Sequence, residues 1–378
     1  MTSPSSAGDT VFDISNKETV NKFACVSCGA DLTYKPGTRH LVCSYCNAEN
    51  DIPDIGEPVN ENDFYAFIDN ESATSLRMTI STVNCKSCGA DTTIEPNIRS
   101  QNCPYCMNPL VVENTITDSV IQPKGILPFK LNKEEARNKF KSWVKGLWFA
   151  PNDLKKATLD PNRFNGMYIP YWTFDSLTTS RYMGQRGEHY YVNESYTVVE
   201  NGKSTVKTRS VQRTRWFTVS GNVSHPFDDV LVVASHSLPL NYVEKLEPWD
   251  LGNITRFDER FLGGFITEKY KVELKEGFDT AKTKMDTYIR TLVRRDIGGD
   301  EQRIISLQTD HSNITFKHIL LPIYLSAFRF KGKVYNFLVN GRTGEVQGER
   351  PYSAWKIALL VIAVLAVLGV VIYFASKK

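Results

Sequence analysis

CVSCGADLTYKPGTRHLVCSYC (residues 25–46) and CKSCGADTTIEPNIRSQNCPYC (residues 85–106) align without a gap at an offset of 60 residues. Together they hold all eight cysteines of the 378-residue chain, as Cys25-x2-Cys28-x14-Cys43-x2-Cys46 and Cys85-x2-Cys88-x14-Cys103-x2-Cys106. Two CxxC pairs joined by a hairpin-length spacer have the spacing of a tetrahedral four-thiolate zinc site. SCGAD recurs at Ser27–Asp31 and Ser87–Asp91, Pro36 and Arg39 match Pro96 and Arg99, and Tyr45 matches Tyr105. The two stretches are copies of one unit. They predict tandem zinc ribbons at 21–50 and 81–114, each holding one structural Zn2+ through its four cysteines. Gly29 and Gly89 suit the left-handed conformation that turns backbone N–H groups toward sulfur, and Asn47 can play the same part. Met107, at the matching place in the second copy, is a poorer choice. Turns are expected at Pro36-Gly37 and Pro96-Asn97. So small a module has almost no core, so the metal is its fold. A redox pair would call for CxxC beside a βαβ unit, and catalytic zinc would call for an open position that four thiolates do not leave. His40 has Ser100 as its counterpart and reads as a surface residue.

The other end of the chain is equally direct. Ile357–Ser376 reads IALLVIAVLAVLGVVIYFAS, without a charge. At ~1.5 Å per residue it covers ~30 Å, the thickness of a bilayer's hydrocarbon core. Trp355 and Tyr373 suit the two interfaces, and Lys356, Lys377 and Lys378 flank the run. A buried core helix is the alternative, but so long and uniform a run is expensive to hide in a soluble domain. A transmembrane helix is expected over 355–376, as a tail anchor. Met1–Thr10 is polar and does not read as a signal peptide. Zinc thiolates favour a reducing compartment, so the body is expected to face the cytoplasm from the cell membrane. Lysines stand on both flanks, so the charge rule does not choose between the two orientations.

Net charge is +3, but it is unevenly spread. Residues 21–110 carry eleven acidic against six basic side chains, before the two metal centres are counted; residues 1–20 carry −2. The remainder therefore carries about +10. Phosphate binding needs concentrated Lys and Arg, which the acidic head lacks, so protein is a better partner for it than nucleic acid. A disordered start (1–20) and an acidic linker (51–80) are expected around the first ribbon.

The body, 115–350, reads as α+β with an antiparallel sheet. A helix is expected over Leu131–Phe149, capped by Asn132 and stopped by Pro151, with Phe140, Trp143, Val144, Leu147 and Trp148 on one face. GMYIPYWTFDS from Gly166 reads as a strand, and Arg181–Gly221 as a β-ribbon turning at Asn201-Gly202. A second helix is expected over Val272–Arg295, closed by Gly298-Gly299. HILLPIYLSAFRF, KVYNFLVNG and RTGEVQGERP then form a meander with turns at Lys331-Gly332 and Asn340-Gly341. Helix, linker and proline-bearing strand occur twice, the pattern of an internal duplication; an edge position would tolerate the prolines.

No catalytic constellation emerges. Walker A, H-E-x-x-H and G-x-S-x-G patterns do not occur. His225 and His236 flank Asp228-Asp229, a conceivable metal site that reads better as a solvated loop. Tyr168, Tyr171, Trp172 and Phe174 read as buried sheet residues rather than a ligand cluster. The chain is expected not to be an enzyme.

The doubled SCGAD ribbons, GMYIPYWTFDS, RDIGGDEQRI, ILLPIYLSAFRFKGKVYNFLVNGRTGEVQGERP and the terminal helix together resemble a family of bacterial membrane-anchored zinc-ribbon proteins. These are often labelled TFIIB-type zinc-ribbon proteins or relatives of the primosomal helicase; no ATPase motif accompanies the cysteines here. The resemblance spans roughly 20–376. It implies that the eight cysteines are metal ligands, and it offers no catalytic residue. Some members are encoded beside phage-shock-protein-A-like and SPFH-domain proteins, which implies a membrane scaffold in an envelope-stress response. The expected function is a non-enzymatic, tail-anchored scaffold that recruits cytoplasmic protein partners. The rival is a membrane-tethered nucleic-acid-binding accessory of replication or transcription. A zinc or redox sensor is a third, weaker expectation.

Overall fold

The computed structural model describes residues 23–54, 56, 58–69, 76–93, 100–111, 115–151, 164–200, 203–330, 332–349 and 352–376. The expected disordered start and the turns at Pro96-Asn97 and Asn201-Gly202 lie outside them. The first cysteine module is a three-stranded sheet of β1 (Leu32–Tyr34), β2 (His40–Cys43) and β3 (Glu49–Asp51). β4 (Asn62–Asp63) and α1 (Phe64–Asp69) follow. The second module lies between β5 (Arg77–Asn84) and β9 (Thr115–Ile121), which pair with each other, and includes β6 (Asp91–Thr92), β7 (Ser100–Asn102) and β8 (Pro109–Val111). The body adds β10 (Gly125–Ile126), α2 (Lys133–Lys145), β11 (Phe164–Glu200), β12 (Lys203–Val233), β13 (Thr255–Arg256), β14 (Ile266–Thr267), α3 (Leu274–Ile297), β15 (Glu301–Phe330), β16 (Lys333–Asn340) and β17 (Val346–Gly348). α4 (Ala354–Ser376) closes the described chain. The result is mixed sheets with helices, two four-cysteine clusters and one C-terminal apolar helix.

One large sheet organises the body, in the order β12-β11-β15-β10-β13 with β16 also on β15. β11 and β15 are antiparallel along 164–187, and where 167–174 pair with the inner part of β15 (316–328) both strands are buried on both faces, so the alternation of in and out disappears from the sequence there; from Leu177 outward one face is exposed. Phe164, Tyr168, Trp172 and Phe174 face one side with α2, α3 and α1. Met167, Ile169 and Tyr171 face the other. The first cysteine module joins the former layer and the second joins the latter.

The two prolines do not sit in edge strands. Pro170 lies in β11, between β12 and β15, and Pro322 lies in β15. A strand residue's nitrogen and carbonyl point the same way. The Pro170 carbonyl accepts from Ala234 N–H at 3.0 Å, just beyond the end of β12, and that of Pro322 accepts from Gly341 N–H at 2.9 Å, just beyond β16. Each missing N–H thus faces the carbonyl of that same donor residue, which is satisfied from outside the ladder: Ala234 O accepts from Lys271 N–H at 2.8 Å and Gly341 O from Leu131 N–H at 2.9 Å. The register is symmetric about the Ile169–Leu321 pair, with Tyr168 opposite Pro322 and Pro170 opposite Leu320.

Both long helices lie close to their expected places. α2 starts with a capping box, Asn132 Oδ1 accepting from Glu134 and Glu135 N–H and Glu135 Oε2 accepting from Asn132 N–H. It ends earlier than expected, at Gly146 rather than at Pro151, because glycine gives up helix propensity first; Trp148 is left exposed. α3 ends at Gly298 and Gly299, with φ of +66° and +74°. The 51–80 stretch, expected as a linker, carries α1, whose Phe64 and Phe67 are buried against the sheet and α3.

Close packing of α3 on β11 depends on Gly277, where a Cβ would stand 2.8 Å from Trp172 Cδ1. Gly277→Val should cost about 1–3 kcal/mol through overpacking, despite valine's better helix propensity. Chemical denaturation of the full chain in detergent checks this, and wild-type stability in the variant would refute it.

Candidate metal centres

Each cysteine module brings its four thiols together at the tips of two knuckles. The knuckles repeat one hydrogen-bond pattern four times. Gly29 N–H donates to Cys25 O at 2.8 Å, Asn47 to Cys43 at 3.0 Å, Gly89 to Cys85 at 2.7 Å and Met107 to Cys103 at 2.9 Å. The donor residues have φ of +59° to +75° in every case. Met107 adopts the left-handed conformation as well, at the steric cost that glycine and asparagine reduce.

Across each module the sulfurs stand at 3.6 Å (Cys25–Cys46), 3.5 Å (Cys28–Cys43), 3.6 Å (Cys85–Cys106) and 3.7 Å (Cys88–Cys103). All eight are free thiols. A tetrahedron with metal–sulfur bonds of about 2.3 Å has sulfur–sulfur edges of about 3.8 Å. The donor set therefore fits one tetrahedral metal ion in each module. Cys25 shows the polarisation that favours thiolate. Burial opposes ionisation, but the N–H groups of Ser27 and Cys28 and the neighbouring thiols hold it down to about 6.

The modules differ in what surrounds them. The second is docked through its knuckles. Tyr105 donates its hydroxyl to Glu268 Oε2 at 2.6 Å, and Ser235 and Ser237 donate to Oε1 of the same buried carboxylate. Burial pushes the Glu268 carboxyl up, and the three hydroxyl donors counter it. Lys271 caps Gly89 O, and Arg329 donates to Cys106 O and Asn108 Oδ1, both at 3.2 Å. The first module is docked through its strands instead. Tyr34 stacks edge-on against Phe261 at 5.1 Å and donates to Phe129 O at 3.2 Å. Its knuckle tips face solvent: Tyr45, the copy of Tyr105, is 84 % exposed and Val26 is 90 % exposed. The Tyr45–Tyr105 match is visible in the sequence; their opposite burial is not.

A third cluster has no signature in the sequence. Bulges in adjacent strands gather Asp175 from β11, Asp228 and Asp229 from β12, and Glu61 ahead of β4. Lys317 of β15 stands among them, 2.7 Å from Glu61 and 2.7 Å from Asp229, and supplies the cation that the carboxylates need. Burial, then a hydrogen bond to Glu61, raises Asp175 to about 7. Glu61 is lowered: burial opposes its charge, but donation from Asp175, Lys317 and Thr315 outweighs that. The two histidines that flank these aspartates along the chain are engaged elsewhere. His225 packs on Phe227 and Tyr288, and His236 faces Glu276 at 4.0 Å. Tyr168, Tyr171, Trp172 and Phe174 are buried in the sheet.

α4 is long and apolar enough to cross a membrane, and none of its residues is buried. Its start is fixed to the end of the α2 segment by Ser353 N–H donating to Phe149 O and Lys356 Nζ donating to Ala150 O, both at 2.7 Å.

These features define a class: paired four-cysteine modules on a β-rich body with one apolar terminal helix. No family model matches the chain. It is similar to the uncharacterized protein YdjG of Bacillus subtilis (strain 168), 25% identical over 338 residues, which are 89% of this chain and 92% of that protein. No solved structure matches.

The Asp175 shift carries a sign. Between about pH 4 and 7 the folded state keeps a proton that the unfolded state has lost, so this group's contribution to stability falls as pH rises through that window. Asp175→Asn should flatten that part of the stability profile. Denaturation of both proteins at pH 5 and pH 8 tests it, and an unchanged difference would refute it.

Proposed function

We propose that the chain is a membrane-anchored, non-enzymatic scaffold whose two cysteine modules are structural zinc ribbons and whose first ribbon presents a docking surface to partner proteins. One contrast carries the reading: two copies of the same ribbon, one with its knuckle tyrosine docked on Glu268 and the other with Tyr45 and Val26 in solvent. Exposed apolar side chains on a rigid, metal-clamped turn suit protein recognition. Zinc follows from the all-thiolate tetrahedral donor set, with no position left for a reactant. The acidic balance around the ribbons opposes phosphate binding there.

α4 serves as the anchor. Exposed Trp148, Tyr352 and Trp355 cluster at its start, where an interfacial belt belongs. The body faces the cytoplasm, where thiolates stay reduced. The resemblance seen in the sequence makes a phage-shock-protein-A-like or SPFH-domain protein the partner to look for, as part of an envelope-stress response.

The full chain, purified from its own host membranes with zinc retained, should carry about two zinc ions and a coat-like partner. Tyr45→Ala should lose the partner at unchanged zinc content. Zinc near zero would sink the ribbon reading, and a partner retained by Tyr45→Ala would sink the docking surface.

A further inference from the structure

β11 is 37 residues long and β12 is 31, against a usual strand of about 5–6. At ~3.3 Å per residue β11 spans about 120 Å. Its partner β15 begins at Glu301, opposite Gly187. There the Asp300 carboxylate accepts from His189 N–H at 2.7 Å and ends the ladder. Beyond it, among the described residues, β11 and β12 continue as a two-stranded arm without a third strand, and no described residue of the arm is buried. A lone hairpin is marginal in water.

The pairing register sorts the arm's side chains into two unlike faces. One carries Glu188, Glu194 and the five cations from Lys203 to Arg215. These are engaged among themselves: Glu194 with Arg209 at 3.4 Å and Arg213 at 2.5 Å, Arg209 over Tyr196, Arg215 over Tyr190. This is a solvated face. The other, from Tyr191 to Val199 and back from Ser204 to Gln212, has no charge at all. Its hydroxyl and amide side chains are interspersed with Tyr191, Val199 and Val206, each 67–69 % exposed. Such period-two segregation is the pattern of a strand pair covered on one side.

We propose that the neutral face of the arm pairs with the same face of a second copy. It has no cation for a phosphate, so nucleic acid and anionic lipid do not fit it. Its hydroxyls and amides suit no hydrocarbon. A charged protein surface would leave its own charges unpaired there. An uncharged strand face of the same kind is complementary, and a two-fold pairing offers one on each side. The face measures about 27 by 10 Å, so the pair buries on the order of 600 Å2, half of what a stable interface needs. Pairing therefore requires chains concentrated on one surface and dissolves on dilution.

Adjacent tyrosines supply the test, because Tyr190 and Tyr191 lie on opposite faces. Each is replaced in turn by p-benzoylphenylalanine in the full chain, reconstituted in phosphatidylethanolamine–phosphatidylglycerol vesicles, and irradiated. Position 191 should give a crosslinked dimer at least tenfold more abundantly than position 190. Mixing tagged and untagged chains should give the hybrid. Ser195→Glu, which sets like charges against each other, should abolish the crosslink, and Val198→Glu on the charged face should leave it. Zinc content confirms that each variant is folded. Equal crosslinking at both positions, no dimer at 191, survival of the dimer in Ser195→Glu, or a crosslink at 190 to lipid in place of a dimer at 191 would each overturn the proposal.

Discussion

The antiparallel pairing of β11 with β15 is the interaction on which the other elements depend. Over 167–174 of β11 and 316–328 of β15 both strands are covered on both faces, so the layers that pack there are placed by reference to them. One side receives the first cysteine module, α1, α2 and α3, and the other receives the second module. A one-residue slip in this register would exchange the two faces and undo both layers together. The symmetric placement of Pro170 and Pro322 helps to prevent it. Each proline tolerates only a register in which the carbonyl opposite its nitrogen finds another donor, as Ala234 O and Gly341 O do.

The same pairing explains how duplicated modules come to differ. Four knuckles share φ values and hydrogen bonds, the geometry that brings four sulfurs together in each module. The rest of each module is free to follow the surface on which it rests. Tyr34 of the first module lies against Phe261, while the second turns its knuckles inward, so that Tyr105 reaches Glu268 and Lys271 and Arg329 reach backbone carbonyls. A buried glutamate tied to three hydroxyls holds the second module to the body and covers its Tyr105 knuckle, while Lys86, Ser87 and Cys88 of its other knuckle stay exposed. The first keeps its tips in solvent, so the two copies present different surfaces.

What was legible in the sequence was local. Cysteine spacing, the Asn132 cap, the Gly298-Gly299 stop and the apolar run of α4 each act over a few residues, where residue type fixes conformation. What was hidden came from residues far apart. Asp175, Asp229, Glu61 and Lys317 meet because bulges in neighbouring strands align, and no single stretch contains that information. The prolines misled for a related reason. Their edge preference is a statement about one hydrogen bond, and a strand can be central while the carbonyl opposite one of its residues is satisfied from elsewhere. Residues 51–80 read as a linker because six residues of α1 are too few for a period to show.

The length of β11 gives the molecule a direction. Its first residues lie at the end where α2, Phe149 and Ala150 meet the start of α4, and its last lie in the arm. Burial divides along that line. Close to the start of α4 the strand is buried between two layers and bears the cysteine modules. Beyond Gly187 it has lost β15, and the charges that would sit anywhere on a solvated ribbon are confined to one side. Packing among the described residues does not account for the segregation, because none of them covers the neutral side. If α4 crosses a membrane as proposed, chains fixed in one plane and carrying long two-faced arms meet repeatedly in a narrow range of orientations. Under that condition an interface too small to hold in solution can hold a pair.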